Sequence, residues 1–262
     1  MFLRVALGAF ILLAIGRAGR PRLTATQWRS VLVFGLVIAA MNLCFYEAIA
    51  RIPLGVAVTI EFLGPLGVAI AGSRKPLDFA WAGLAAAGVA ILSLKGGGSV
   101  SPVGLAFALA AAVGWASYIL LSQRVGRIVP GPNGLAYALT IAGIALLPFG
   151  VASAGMRLLQ PHSLLAGALV AVLSTAIPFS LEFAALRRLS SQVFGVLMSL
   201  EPAMGAAAGF VFLGQRLSPL DLVAIVLVTV ASAGATLTAA RRPTPPQRGQ
   251  EHPREGEGVS VS

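Results

Sequence analysis

Long apolar runs separated by short polar breaks recur along this sequence as far as about residue 240, and no other feature constrains the fold so strongly. Breaking the chain at charges, prolines and glycine clusters gives nine runs, at about 1–16, 31–50, 53–72, 79–94, 102–122, 133–153, 163–185, 192–213 and 219–239. A membrane-crossing helix needs roughly 20 mostly apolar residues, and these runs cluster around that length. Stretches such as FALAAAVGWASYILL are too long and too rich in small residues for buried strands. The alternating apolar–polar segments of about 10 residues that mark a membrane β-barrel are absent from the sequence. The expectation is an all-α polytopic membrane protein.

Composition closes off the soluble alternatives. Of 262 residues, 57% are hydrophobic and 11% charged, against about 25% charged in ordinary soluble domains. A single cysteine, Cys44, permits no internal disulfide. The net charge of +10 raises the question of nucleic acid. The 19 Lys and Arg, however, fall singly or in small groups between apolar runs, without a basic face or interleaved aromatics. Their excess instead reports orientation, because cytoplasmic loops collect Lys and Arg. With nine spans, one side holds Arg17, Arg20, Arg22, Arg29, Arg74, Lys75, Arg124, Arg127, Arg187, Arg188, Arg241, Arg242, Arg248 and Arg254. The other holds Arg51, Lys95, Arg157 and Arg216, and Arg4 lies within the first run. This asymmetry predicts a cytoplasmic C-terminus, with the N-terminus outside. The tail 241–262, rich in Pro, Gly, Arg and Glu, reads as disordered. The glycines of SLKGGGSVSP at 93–102 read as a linker, since no phosphate-loop lysine follows and no strand precedes.

The first run is short and carries Arg4. A secretory signal would place its positive charge before the apolar stretch, whereas Arg17, Arg20 and Arg22 follow it. The expectation is therefore a membrane helix whose beginning is absent. An internal repeat extends it to a whole helix. The third run contains Gly55-Val56-Ala57-Val58-Thr59-Ile60-Glu61 with Pro65 beyond, and the eighth contains Gly195-Val196-Leu197-Met198-Ser199-Leu200-Glu201 followed by Pro202. Each is followed by a matching tetrapeptide, Pro76-Leu77-Asp78-Phe79 and Pro219-Leu220-Asp221-Leu222. The copies lie five runs apart, and an odd separation means opposite directions through the membrane. Inverted repeats of this kind characterise secondary transporters. A five-helix unit predicts ten helices, so the first is expected to be missing. The division expected is 1–95 for the first repeat, 102–240 for the second and 241–262 for the tail.

The stretch MNLCFYEAIARIPLGVAVTIEFLGPLGVAIAGSRKPLDF resembles the first-half signature of the EamA transporters in the drug/metabolite transporter superfamily, specifically their threonine/homoserine-exporter branch. The stretch LSTAIPFSLEFAALRRLSSQVFGVLMSLEPAMGAAAGFVFLGQRLSPLDL is similar to the second. The resemblance covers roughly residues 1–240. It implies ten helices in two inverted five-helix halves, both termini cytoplasmic, an inner-membrane location, and export of small amino acids or related metabolites. The absent first helix would line the central cavity in that family.

Charged residues at the bilayer centre cost about 2.5–3.5 kcal/mol even on lenient scales and usually face a polar interior. Glu61 and Glu201 lie near the middle of their runs, beside Pro65 and Pro202, which free backbone carbonyls. They are candidates for cavity residues that bind a substrate amine and titrate with a driving proton; the bland alternative is a protonated Glu joining helices through a hydrogen bond. Glu47 and Glu182, related by the repeat, read equally as gates or as partners of Arg51 and of Arg187 and Arg188. Ser174, Pro178 and Glu182 share one helix face at i, i+4 and i+8, which favours a kinked, cavity-facing helix. Asn42 and Trp115 are weaker cavity candidates, and Tyr46 and Tyr118 weaker still. Asp78 and Asp221 read as helix-start carboxylates, and Gly205 with Gly209 as a close helix contact. Arg4 could pair with a midplane glutamate or lie near the outer surface.

His162 sits in a loop and His252 in the tail, so no metal cluster or nucleophile–base pair is expected. With no nucleotide-binding motif, ATP-driven transport within this chain is excluded, and no cofactor or metal is expected. The partners expected are a small-molecule substrate, membrane lipids and a second copy in a homodimer, with no nucleic acid. A lipid-modifying enzyme using Glu61 and Glu201 as acid and base is the runner-up, followed by a non-transporting remnant.

Overall fold

The computed structural model describes residues 2–15, 23–71, 76–94, 101–129, 133–155, 158, 160–178 and 199–240, and among them every regular element is a helix. In chain order these are α1 (Phe2–Ile15), α2 (Ala25–Ile49), α3 (Leu54–Glu61), α4 (Leu63–Ala71), α5 (Pro76–Leu94) and α6 (Pro102–Ile128). They continue with α7 (Asn133–Ala154), α8 (Pro161–Ala171), a π-helical turn (Val172–Ala176), α9 (Glu201–Leu213) and α10 (Pro219–Ala240). Glu182, Arg187, Arg188, residues 195–198 of the second repeat motif, the 95–100 linker and the tail 241–262 lie outside the described residues.

Four helices, α2, α6, α7 and α10, are long and apolar enough to cross a membrane, and the others are shorter apolar helices. Phe10, Leu165, Phe210 and Phe212 point outward, Phe212 at 82% exposure. Outward apolar side chains on helices whose backbones are satisfied internally suit lipid as the surrounding solvent.

Local chemistry sets the ends. Helix α2 begins at Ala25, earlier than the run read from 31, because Thr24 and Gln27 form a reciprocal cap. The Gln27 amide hydrogen donates to the Thr24 hydroxyl at 3.3 Å, and the Thr24 amide hydrogen donates to Gln27 Oε1 at 2.8 Å. Gln27 Nε2 also donates to the Ile128 carbonyl at 2.6 Å, tying this end to the end of α6. Asp221, in the first turn of α10, accepts from the Ser218 amide and hydroxyl, both at 2.8 Å. That is the helix-start role expected of it.

The third run, read as one span over 53–72, carries a local interruption at Phe62 between α3 and α4. Phe62 keeps helical dihedrals and its amide hydrogen donates to the Val58 carbonyl at 3.0 Å, so the chain continues in the same sense. Pro65 accounts for the interruption, since it has no amide hydrogen for the Glu61 carbonyl.

Packing fixes relative directions. Phe2 lies against Gly150 and Ala6 against Gly143, so α1 and α7 are antiparallel. Gly55 meets Ala206, Val58 meets Gly205 and Leu54 approaches Gly209, so α3 and α9 are antiparallel too. Trp81 packs on Gly234 and Gly88 on Ala224, giving the same sense to α5 and α10, and Trp81 Nε1 donates to Thr238 Oγ1 at 3.1 Å. By contrast α1 and α8 run the same way, with Leu3 on Gly167 and Gly8 on Thr175. Trp28 faces Tyr137 and Gly35 lies against Ala138 and Ile141, so α2 follows α7 in the same sense. The Gly205–Gly209 pair is thus a helix contact, as read, and its partner is α3.

Candidate functional site

Glu61 and Glu201 both stand at helix ends. Glu61 is the last residue of α3 and Glu201 the first of α9, after a turn at Ser199 and Leu200. Pro202 occupies the first turn of α9, where a missing amide hydrogen leaves no gap. Pro65 acts in the middle of an apolar run instead and leaves the Glu61 carbonyl without its usual amide partner. The antiparallel α3–α9 contact brings the end of α3 and the start of α9 to the same region, and Glu61 lies within electrostatic range of both Glu201 and Arg4.

Arg4 is half-buried against the last turns of α2. It projects from α1 onto α2, where its Nη2 donates to Asn42 Oδ1 and its guanidinium lies 5.7 Å from the Tyr46 ring centre. Such a cation over an aromatic face is attracted by the ring quadrupole. Asn42 is buried and is held in turn by its Nδ2, which donates to the Ile38 carbonyl at 2.9 Å. Arg4 Nε is buried without a hydrogen-bond partner among the described residues. Arg4, Glu61 and Glu201 are each half-buried.

Aromatic packing frames the break. Trp115 of α6 meets Phe62 edge-on, with ring centres 5.6 Å apart and planes at 80°. Phe62 is the residue between α3 and α4, so Trp115 packs at that junction. Gly64 makes this approach possible, since a side chain there would run into the α6 backbone at Ala112 and Ala116. Four candidates, Glu61, Glu201, Asn42 and Trp115, thus gather around Arg4 and the α3–α4 break.

Others stand apart. Glu47 pairs with Arg51 at the end of α2, both side chains being more than a third exposed. The Arg51 guanidinium also lies over Phe107. Of its two readings, the geometry gives Glu47 an ion pair. Ser174 lies in the π turn, where its hydroxyl donates to the Val170 carbonyl at 2.7 Å, and Pro178 is exposed just beyond. The wider π turn rotates the face expected for Ser174 and Pro178, and it is Thr175, 4% exposed, that packs on Gly8 of α1. Gly8 is one helical turn from Arg4. An open cleft of about 190 Å³ lies elsewhere, between Phe2, Leu3, Phe149, Gly150, Ser153, Ala154 and Leu158.

Sequence reasoning singled out the acids and left Arg4 between two readings, without naming Asn42 or Tyr46 as its neighbours. Arg4 is the one basic residue inside an apolar run, a signal present in the sequence, but its partners sit 38 residues or more along the chain. Among the described residues no group of three or more His, Cys, Asp or Glu could hold a metal ion. The site is a polar interior with two carboxyls, one guanidinium, an amide and two aromatic walls. That arrangement suits binding of a small charged molecule.

The profile of the EamA-like transporter family matches residues 102–237. Over 244 residues the chain is 45% identical to the threonine/homoserine exporter RhtA of Salmonella typhimurium, covering 92% of this chain and 82% of that protein. Over 239 residues it is 44% identical to the threonine/homoserine exporter RhtA of Escherichia coli, covering 90% and 80% respectively. Protein PecM of Dickeya dadantii is 26% identical over 238 residues, covering 85% of this chain and 77% of that protein.

Proposed function

The chain belongs to the EamA-like transporter family, and from that premise we propose that it exports a small amino acid such as threonine or homoserine through the interior around Glu61 and Glu201. It is an exporter rather than an enzyme, with a small molecule as substrate and the membrane as its site. Threonine and homoserine are the compounds named for relatives 44–45% identical over most of the chain. The observation that carries the reading is the pairing of two glutamates at adjoining ends of two antiparallel helices, Glu61 ending α3 and Glu201 starting α9. Acidic residues within membrane helices usually face a bundle interior or water and mark substrate and ion pathways.

Transport on this reading is proton-coupled alternating access. Glu61 lies within electrostatic range of Glu201 and Arg4, and on this reading a carboxyl of the pair exchanges a proton as the substrate's ammonium arrives or leaves. The halves that move are the two inverted repeats, 1–95 and 102–240. The helix contacts support this, because five runs separate α1 from α7, the α3–α4 run from that of α9, and α5 from α10. Each of these pairs is antiparallel, as an in-plane two-fold requires, and the parallel α2–α7 contact has its counterpart in the parallel α1–α8 contact. Charge asymmetry supports a cytoplasmic C-terminus in an inner membrane. The reading also takes two copies to pair, which the mass of the detergent-solubilised protein by light scattering would measure.

Uptake of labelled threonine and homoserine into proteoliposomes, with and without a pH gradient, tests the proposal. The expected result is accumulation that grows with the gradient. Absence of amino-acid transport under either condition refutes the substrate class; transport indifferent to the gradient refutes the coupling alone.

A further inference from the structure

Arg4 has five N–H donors in a planar fork. Nη2 is taken by Asn42, Tyr46 lies against the guanidinium face, and Nε is buried without a partner. Asn42 is itself fixed by the Ile38 carbonyl, so the guanidinium is held from one side. Its charge reaches Glu61 across the same interior, and Glu201 lies there as well. A half-buried cation with a buried, unpartnered Nε lies within electrostatic range of the Glu61 carboxyl, so one region of the bundle offers both a positive and a negative group.

That polarity matches one class of molecule. An α-amino acid carries an ammonium and a carboxylate on a single carbon, and neither carboxyl of the site can receive the carboxylate. The geometry points to Arg4 as the residue that binds the substrate's carboxylate, with Asn42 and Tyr46 positioning the guanidinium and Glu61 and Glu201 receiving the ammonium. This rests on the amino-acid export proposed above and adds to it a site for the other half of the zwitterion. A planar carboxylate takes two parallel N–H bonds from a guanidinium, for which Nε and a neighbouring Nη provide the edge. Binding would then discriminate strongly against compounds that keep the amine and lose the carboxylate, because Arg4 would stay buried and unpaired beside them.

The test uses the purified full-length chain in detergent, with binding read as the ligand-induced rise in melting temperature, so that no turnover is needed. The probes are L-threonine and L-threoninol, its amino alcohol without the carboxylate. The wild-type chain is expected to bind threonine about 10- to 100-fold more tightly than threoninol, the span expected of hydrogen bonds to a charged group. Arg4→Gln should weaken threonine by that factor, down to the level of threoninol, and leave threoninol within about threefold of wild type. Arg4→Lys, which keeps the charge and loses the fork, should give an intermediate preference, and it carries the test if Arg4→Gln does not melt cooperatively. Equal weakening of both probes by either variant, or unchanged threonine binding, overturns the role of Arg4 while leaving amino-acid export standing. Wild-type protein that binds neither probe overturns both, and this is visible before any variant is made.

Discussion

Glu61, Glu201 and Arg4 differ from every neighbour in their apolar runs, and their free-energy cost in a membrane has to be offset by what surrounds them. The structure supplies the surroundings: each carboxyl sits at a helix end, and Arg4 lies against Asn42 and Tyr46, within electrostatic range of Glu61. Removing a carboxyl's charge with little change of shape tests the site directly. Glu61→Gln and Glu201→Gln should each lower threonine transport at least tenfold in proteoliposomes while the protein still inserts and melts cooperatively. Near-normal transport in both would leave the pair as helix-joining groups. Glu47 offers the contrasting case. Its ion pair with Arg51 is more than a third exposed, and such pairs contribute about 0–1 kcal/mol. Glu47→Gln should therefore change the unfolding free energy by less than about 1 kcal/mol. A tenfold fall in transport from that variant would restore the gate reading. At this scale the acids were legible from type and position alone, whereas nothing local to Arg4 reveals that Asn42 lies beside it.

Helix interruptions are the element-scale feature on which the site depends. Pro65 interrupts the helix between α3 and α4 by leaving the Glu61 carbonyl without an amide partner. Pro65→Ala should supply that hydrogen bond, raise thermal stability and lower transport several-fold; a variant with raised stability and full transport would show that the interruption is incidental. Close approach matters equally here. Gly64 faces the α6 backbone, and any Cβ would collide with Ala112. Gly64→Val should destabilise by roughly 1–3 kcal/mol, the usual cost of forcing atoms into a packed contact, and should displace Phe62 from Trp115, a change readable in tryptophan fluorescence. The sequence disclosed that a proline stood near Glu61. It did not disclose that the π turn before Pro178 would turn Thr175 toward α1, because that choice depends on Gly8, on a helix more than 150 residues away.

Across the whole molecule, the antiparallel contacts α1–α7, α3–α9 and α5–α10 join the two proposed halves, and their relative motion can be blocked. A Cβ at Gly143 would lie 3.6 Å from the Ala6 Cβ, within the span a disulfide accepts. In a Cys44→Ser background, oxidising the Ala6→Cys, Gly143→Cys pair should lower transport at least tenfold, and reduction should restore it. Full transport by the oxidised form would place the moving interface elsewhere. Orientation has its own measurement, since a reporter active only in the cytoplasm should be active when fused after Ser262. What the sequence by itself determined was the class: apolar runs of membrane length, the bias of Lys and Arg between loops, and two intramembrane acids beside prolines. These follow from solvent, and the lipid interior imposes its conditions on each helix independently, so each run can be read alone. Tertiary structure alone decided which residues share the interior, turning Arg4 from an unplaced charge into a partner of Asn42, Tyr46 and Glu61. A site is a property of distances between helices, and those distances are set by small-residue contacts such as Gly55 on Ala206 that no single run contains.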